Sequence, residues 1–457
     1  MTSASSDPGG ALRVTASDAA TEIFLVDARL ARQEKAVGVM DATVAPGLYK
    51  LRLRAGRTQV DRLIEVATDK PTEIAAPPVR FVSAMPLDDT ADDDAVHRQV
   101  VRDATRGGAG RSRLALFVRD AAGGALPPGQ GVTVHALDGT PIAEIGRGET
   151  RAPGIAARVL DLAPGTVRLR VSPPAAPVHE MFVPLLDGWQ TRVFMFRSDA
   201  DGPRLRDASV CIAPMGAPFD PADPALRLTE LLRHSLATGR DVLTARVLAE
   251  VAEARGAHPM LALFAAHLAI RTGHLDTARV VADPLGLSPA VMAMADNRAL
   301  LLRTIRKGPP GELHFRTPPM LRASWSLIVA ASRRRMGLVP YASLSARVGE
   351  GLVADPLWLL GARPDAAPGP VRDAMSYAAA RRFLGDLATG TAAPDPAPDA
   401  PPLARGLLDA ARMAGGAADA LDAMLGDLDV PRYSIARAAR HLKGSPGAQD
   451  RTPTTVP

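Results

Sequence analysis

The stretch "VAPGLYKLRLRAG", from Val44 to Gly56, decides how the first half of this chain is interpreted. Leu51 and Leu53 alternate with basic residues, which is the two-residue period of a strand that buries one face. Before this run, Pro46 presets φ at the first central position of a turn, and Gly47 accepts a positive φ at the second. The sequence therefore predicts a type II turn that leads into a half-buried strand.

A similar stretch, "LAPGTVRLRVSPP", returns from Leu162 to Pro174. It again places Ala-Pro-Gly before an alternation of apolar residues and arginine. Short β-like runs separated by Asp, Gly and Pro surround both copies. We therefore predict two small antiparallel β-sandwich modules of related design, each with a Pro-Gly turn before a central strand.

The two modules resemble the PEGA and carboxypeptidase-regulatory-like families of bacterial β-sandwiches. The resemblance rests on "APGLYKLRLRAG" and "APGTVRLRV" and covers about a third of the chain. It implies binding or spacer units that carry no catalytic residues.

Composition narrows the function classes. The chain has 457 residues, of which 47% are hydrophobic, 23% charged and only 4% aromatic. Few aromatics argue against a base-stacking platform for single-stranded nucleic acid. The 54 basic and 49 acidic residues leave a net charge of only +5, a mild excess that does not predict a nucleic-acid binder.

Cysteine usage and hydropathy predict a cytoplasmic protein that does not enter a membrane. Cys211 is the only cysteine, so no intrachain disulfide can form and a reducing compartment fits best. The N-terminal sequence "MTSASSDPGGALRV" lacks the basic and apolar regions of a secretory signal. No apolar run reaches the 18 residues expected of a transmembrane helix.

The pattern changes to helix after the polar stretch "PFDPADP". Thr-Ala-Arg-Val occurs at Thr244 and again 33 residues later at Thr277, close to the period of two-helix repeats. The region resembles a tetratricopeptide repeat, with Ala265, Gly273 and Ala278 in its small-residue positions, although the Trp and Tyr positions of that family are not filled. About two repeats are visible, so later helices must cap the stack.

One of those later helices is "PPMLRASWSLIVAASRRRMG", in which Leu321, Trp325 and Ile328 share a face that we expect to be buried. Its first part also resembles, over few residues, helical regions of uncharacterised bacterial proteins that accompany caspase-like peptidases. This resemblance implies a partner or a target of such a peptidase.

Together these patterns predict an α+β multi-domain protein, with two small antiparallel β-sandwich modules followed by an α-helical repeat-like domain. The predicted units are a disordered tail at 1–10, a β-sandwich module at 11–82, a helix and linker at 83–112, a second β-sandwich module at 113–197, a linker at 198–227, a helical-repeat-like domain at 228–390, a Pro/Ala-rich linker at 391–402, a terminal helix pair at 403–442 and a disordered tail at 443–457.

No catalytic, cofactor or metal constellation is recognisable in the sequence. The five aspartates between 88 and 94 lack the alternate spacing of a calcium loop and are expected to precede a helix. Cys211 has apolar neighbours and is interpreted as a buried structural thiol. The run Arg333, Arg334 and Arg335 is a weak candidate for contact with an acidic protein.

The function most consistent with these observations is a non-enzymatic adaptor or scaffold that binds another protein in a bacterial multi-protein system, with no cofactor. Two alternatives remain open. One is a cysteine-dependent hydrolase that uses Cys211, and the other is a nucleic-acid-binding protein that uses the basic C-terminal helices.

Overall fold

The structure is a computed structural model. It describes residues 9–29, 31–68, 70–91, 94–107, 110–120, 126–173, 177–198, 202–283, 288–304, 313–335, 337–340, 343–349, 351–362, 377–389, 402–428, 430 and 432–443. The two predicted tails and the predicted linker at 391–402 lie almost entirely outside these ranges.

The described residues form an N-terminal β region followed by a helical C-terminal region. The strands are β1 Gly10–Ala16, β2 Glu22–Val26, β3 Arg32–Val37, β4 Val39–Val44, β5 Gly47–Ala55, β6 Thr58–Val66, β7 Thr72–Ala76, β8 Ser112–Asp120, β9 Val132–His135, β10 Pro141–Glu144, β11 Thr150–Ala152, β12 Ile155–Leu162, β13 Gly165–Val171, β14 His179–Leu185, β15 Trp189–Ser198, β16 Gly202–Pro214, β17 Leu352–Val353 and β18 Leu360–Ala362. The helices are α1 Ala95–Thr105, α2 Pro224–Thr238, α3 Ala245–Ala254, α4 Pro259–Arg271, α5 Leu275–Ala282, α6 Pro289–Met292, α7 Ala295–Thr304, α8 Arg322–Ser332, α9 Leu344–Val348, α10 Tyr377–Ala388, α11 Pro402–Ala414, α12 Ala418–Asp427 and α13 Arg432–Lys443.

The first β region is one seven-stranded sheet in the order β6-β5-β2-β3-β4-β1-β7. Most neighbours are antiparallel, but β1 and β7 are parallel. In β5, Leu51 and Leu53 are buried, as their alternation predicts. Gly47 begins this strand with φ of 151°, well above the roughly +80° of a type II turn. The predicted turn type is therefore wrong, but the backbone of Gly47 does have a positive φ, which glycine adopts readily.

Tyr49 stabilises the backbone at the start of β5. Its hydroxyl donates a 2.7 Å hydrogen bond to the carbonyl oxygen of Ala45, four residues earlier, and its ring is buried. The arrangement is like the tyrosine corner of immunoglobulin-type sandwiches. Gly165 begins β13 with φ of 156°, but the residue equivalent to Tyr49 is Val167, which has no hydroxyl. The two copies thus share backbone geometry and differ in what stabilises it.

The second β region contains two sheets. One has the order β11-β12-β8-β15-β16, with β8 and β15 parallel. The other has the order β10-β9-β13-β14-β18-β17, so β5 and β13 belong to different sheets. Its last two strands come from residues 352–362, within the segment 228–390 that the sequence predicts to be helical. That prediction is wrong for these residues, because β18 pairs with the edge of β14.

The predicted linker at 198–227 also differs from the structure. It contains β16, a 13-residue strand, and the first turn of α2. The helix predicted within 83–112 is α1. Its buried face contains His97, Val101 and Thr105, and Val96 is 53% exposed. Asp94 caps this helix by accepting hydrogen bonds from the first-turn amides.

In the helical region, α4 contacts α2, α3, α5 and α7. Gly273, with φ of 84°, lies in the turn between α4 and α5. The two Thr-Ala-Arg-Val copies are not equivalent, because Thr244 is the N-cap of α3 whereas Thr277 lies inside α5. The expected terminal helix pair is three helices, α11 to α13, which share a core with α10.

One hydrophobic core joins the first β region, the second β region and the helices α2 to α4. Buried side chains from all three parts contact one another in this cluster, including Leu53 of β5, Val193 of β15 and Leu231 of α2. The three parts therefore meet over an apolar interior, and the surface along their junction has a fixed shape.

Candidate functional site

A cleft of about 380 Å³ opens where the first β region, the second β region and α2 meet. It is lined by Arg57, Val82, Ala84, Phe196, Arg197, Ser198, Arg204, Asp207, Arg233 and His234. Four of these ten residues are arginines, so we call this site the basic cleft. Each wall comes from a different part of the chain.

The α2 wall rests on a buried carboxylate. Glu230 is fully buried and accepts hydrogen bonds of 2.7 Å from the hydroxyls of Ser83 and Ser209. Arg233 donates to both of its oxygens at 2.9 and 3.0 Å. Burial raises the pKa of Glu230, but the charge and hydrogen bonds of Arg233 outweigh it and hold the pKa below its usual value. The network ties α2 to β16 and to the segment between β7 and α1 beneath the cleft.

The hairpin between β5 and β6 forms the second wall. Gly56 has φ of 56°, and a Cβ at this position would lie 3.1 Å from Cδ2 of His234. A side chain at this position would be strained by the positive φ and would crowd the imidazole ring, so glycine suits both the conformation and the approach. Arg240, just after α2, donates to the carbonyl oxygen of Gly56. These contacts place the exposed side chain of Arg57 at the cleft.

The third wall is an irregular part of the β15–β16 pair. Between the pairs Phe194–Ser209 and Phe196–Arg204, β16 has four residues where β15 has one. Such bulges redirect side chains away from the regular alternation. Here Arg204 and Asp207 both line the basic cleft, and their side chains are 3.8 Å apart.

Arg197 of β15 is the most buried basic residue on this wall, at 5% exposure. Its Nη1 donates to the carbonyl oxygens of Pro127, Pro128 and Gln130 at 3.1 to 3.3 Å. Its Nε is buried and has no hydrogen-bond partner within the described parts of the chain. The guanidinium group therefore keeps an unused donor.

The cleft offers positive charge but no activated base. Burial, and then the neighbouring Arg233, lower the pKa of His234 to about 4, so its ring is neutral at pH 7. The Nε2 atom of His234 lies 3.1 Å from the carbonyl oxygen of Val82. The Ser198 hydroxyl accepts a 3.1 Å hydrogen bond from Arg204. This arrangement can bind an anion, while His234, Ser198 and Arg204 are already engaged in structural contacts.

The arginine run predicted as an interaction site lies elsewhere. Arg333, Arg334 and Arg335 follow the end of α8 and are all exposed. Arg333 donates to the carbonyl oxygens of Gly426 and Leu428, at the C-terminal end of α12. It thus has a structural role in satisfying the last carbonyls of a helix. The structure does not bring this run near the basic cleft residues through any described contact.

Cys211 lies in β16, opposite Arg192 of β15, and is 2% exposed. Burial raises the pKa of its thiol to about 11, although the Arg192 guanidinium opposes part of the shift. The thiol is therefore protonated at neutral pH and is a weak nucleophile. This environment agrees with a buried structural cysteine and offers no support for the hydrolase alternative.

In α13, Arg432 and Lys443 are exposed, and Arg437 and Arg440 are partly exposed. In α13, Ser434, Ile435, Ala438 and Leu442 are buried against the neighbouring helices.

Within the described ranges, no group of three or more His, Cys, Asp or Glu side chains could hold a metal ion. No described helix combines the length and apolarity needed to cross a bilayer.

Sequence reasoning missed the basic cleft. Its arginines at positions 57, 197, 204 and 233 lie in four different elements or turns, and no spacing links them. One local signal was available, because Gly56-Arg57 directly follows the alternating strand and so must lie in a tight hairpin turn.

Comparisons with known proteins give little further information. No protein-family model matches the chain. No curated protein matches its sequence. Among solved structures, the chain is similar to the Bacillus anthracis TIE protein at 12% identity and a TM-score of 0.16. This match covers 39% of the present chain and 31% of that protein, so the chain spans about a third of its length.

Proposed function

We propose that this protein is a non-enzymatic adaptor that binds another protein and uses the basic cleft as a docking site. The observation that carries the proposal is the position of the cleft. It lies at the junction of three parts that share one core, and four arginines line it. Charged surfaces of this kind steer a complementary partner and select against wrong ones.

Binding rather than catalysis is favoured by the state of the polar groups. His234 is neutral and close to a backbone carbonyl, and Arg233 is held by Glu230. The most reactive side chain type in the sequence, Cys211, is buried with a raised pKa. A site of fixed cations without an activated base or nucleophile is suited to recognising an anionic group.

In this proposal the two β regions are PEGA-like or carboxypeptidase-regulatory-like sandwich modules, and the helices are a tetratricopeptide-like region. Both types usually serve as binding or spacer units. The protein acts in the cytoplasm and does not bind nucleic acid. A caspase-like peptidase, to which the resemblance of residues 318–332 points, is the first partner to test.

The test is affinity purification from the native host with the wild-type chain, Arg57→Glu and Arg29→Glu. Arg29 is also an exposed arginine in a turn of the first β region. It follows β2, whose Val26 pairs with Lys50, so it lies at the opposite end of the sheet from Arg57. We expect one stoichiometric partner with the wild type and the Arg29 variant, and strongly reduced recovery with Arg57→Glu.

Two outcomes would contradict the proposal. If the wild-type chain recovers no stoichiometric protein, the adaptor function is wrong. If Arg57→Glu recovers the same partner as fully as the wild type, the basic cleft is not the docking site. Equal urea midpoints of the three chains would show that charge reversal has not unfolded the protein, since both arginines are exposed.

A further inference from the structure

We propose that the basic cleft recognises a single carboxylate side chain on an extended segment of the partner, with an apolar residue beside it. This inference rests on the proposed function and adds the chemistry of the partner. It follows from three features of the cleft: its charge balance, its unused donors and its apolar wall.

The charge balance leaves two guanidinium groups for a ligand. Arg233 is paired with Glu230, and Arg204 lies 3.8 Å from Asp207. Arg57 and Arg197 have no acidic side chain within 4.0 Å among the residues that the structure describes. Two uncompensated positive groups at one cleft attract an anion, and the attraction is stronger where water is partly excluded.

The donors match a carboxylate. Arg197 gives Nη1 to three backbone carbonyls and its Nε is buried, so this residue contributes positive charge to the cleft and not a donor. Arg57 is exposed and makes no described side-chain hydrogen bond, so its donors are available to a ligand. Guanidinium groups bind carboxylates through paired N–H donors, which gives orientation as well as attraction.

The number of accessible cations favours a singly charged ligand. Arg204 lies beside Asp207 and Arg233 beside Glu230, so Arg57 is the accessible guanidinium without an acidic neighbour among the described residues of the cleft. One guanidinium offers the paired donors that one carboxylate accepts, whereas phosphorylated residues are recognised by clusters of arginines. We therefore expect Glu or Asp in preference to a phosphorylated residue.

The apolar wall explains why we expect a segment and not a free acid. Val82 lines the cleft and is 52% exposed, and the partly buried Phe196 lies on the same lining. An apolar side chain next to the acidic residue would cover Val82, which is otherwise in contact with water. Burying this surface adds affinity that a small free acid cannot obtain.

The experiment measures binding of the full chain to fluorescent 12-residue peptides that differ at one central position. That position is Glu, Gln or phosphoserine, and leucine flanks it on either side. We expect the Glu peptides to bind at least tenfold more tightly than their Gln twins. This preference should vanish in Arg57→Glu and persist in the matched control Arg29→Glu, whereas Val82→Ser should weaken the binding of both peptides. Glutarate alone should compete only at far higher concentration.

Equal binding of Glu and Gln peptides, tighter binding of phosphoserine peptides, or a Glu preference retained by Arg57→Glu would each overturn the inference. Glutarate competition at the same concentration as the Glu peptide would assign the site to free acids and overturn it too. If affinity purification still loses its partner with Arg57→Glu while the peptides show no Glu preference, the adaptor function stands and only this inference fails.

Discussion

His267 shows how a single residue connects three helices through their interior. Its Nε2 lies 2.8 Å from the hydroxyl of Ser324 on α8, and all of its ring is buried on α4. Ser324 also hydrogen-bonds the buried carboxylate of Asp296 on α7. The same carboxylate accepts hydrogen bonds of 2.9 Å from the backbone N–H groups of Met320 and Leu321. The sequence does not reveal these contacts of His267, because its partners lie far along the chain.

This residue predicts a pH dependence of stability. Burial, and then the charge of Arg271, lower the pKa of His267 to about 3, whereas an unfolded histidine titrates near 6.5. Between pH 3 and pH 6.5 the unfolded chain binds a proton at this histidine and the folded chain does not. The free energy of unfolding is therefore unaffected by His267 above pH 6.5 and decreases as the pH falls below it. The loss is about 1.4 kcal/mol per pH unit, or about 2 kcal/mol at pH 5.

Urea unfolding at pH 7 and pH 5 measures this effect. We expect His267→Gln, which can keep the contact with Ser324, to lose about 2 kcal/mol less than the wild type between the two pH values. Other buried histidines such as His97 and His234 titrate in both chains and cancel in the comparison. An identical pH dependence in the two chains would show that His267 is not held neutral by burial.

At the scale of elements, the sequence is most informative where the periodicity is regular. The alternation in β5 identifies its buried face, and Trp325, Ile328 and Val329 of α8 are buried together as their spacing predicts. It is least informative for β16, whose bulge between Arg204 and Ser209 breaks the alternation. The following Pro- and Gly-rich stretch then makes the whole segment look like a linker.

The burial of β16 predicts slow reaction of its thiol. Cys211 should react with a thiol reagent at neutral pH only when β16 opens, since a protonated, buried thiol is unreactive. We expect negligible labelling of the native chain over minutes and rapid labelling in 8 M urea. Fast stoichiometric labelling without denaturant would mean that Cys211 is exposed or ionised, and would reopen the hydrolase alternative.

At the scale of the whole molecule, the sequence predicts an N-terminal β region and a C-terminal helical region, and both are present. It does not predict how they meet. The Glu230 network links residues 83, 209, 230 and 233, and such long-range contacts leave no local pattern. The basic cleft could not be predicted from the sequence for the same reason, because its shape depends on the β5–β6 hairpin, the bulge in β16 and helix α2 together.

The Glu230 network predicts a strong effect of one substitution at the junction. Glu230→Ala would leave Arg233 buried without its carboxylate, and breaking a buried pair in this way costs about 3–5 kcal/mol. Glu253→Ala is the matched control, because Glu253 is exposed on α3 and its loss should cost less than about 0.5 kcal/mol. Urea denaturation followed by tryptophan fluorescence compares them, and equal midpoints would refute a stabilising role for Glu230.

The pairing of β18 with β14 has a consequence for synthesis on the ribosome. His179 and Glu180 are translated roughly 180 residues before their partners Ala362 and Gly361. At about 5–20 residues per second, the edge of β14 waits about 10 to 35 seconds for its neighbour. During that interval the nascent chain exposes unpaired backbone groups beside the buried, apolar β14, and such edges favour aggregation. We therefore expect the emerging chain to depend on chaperones until residue 362 has left the exit tunnel.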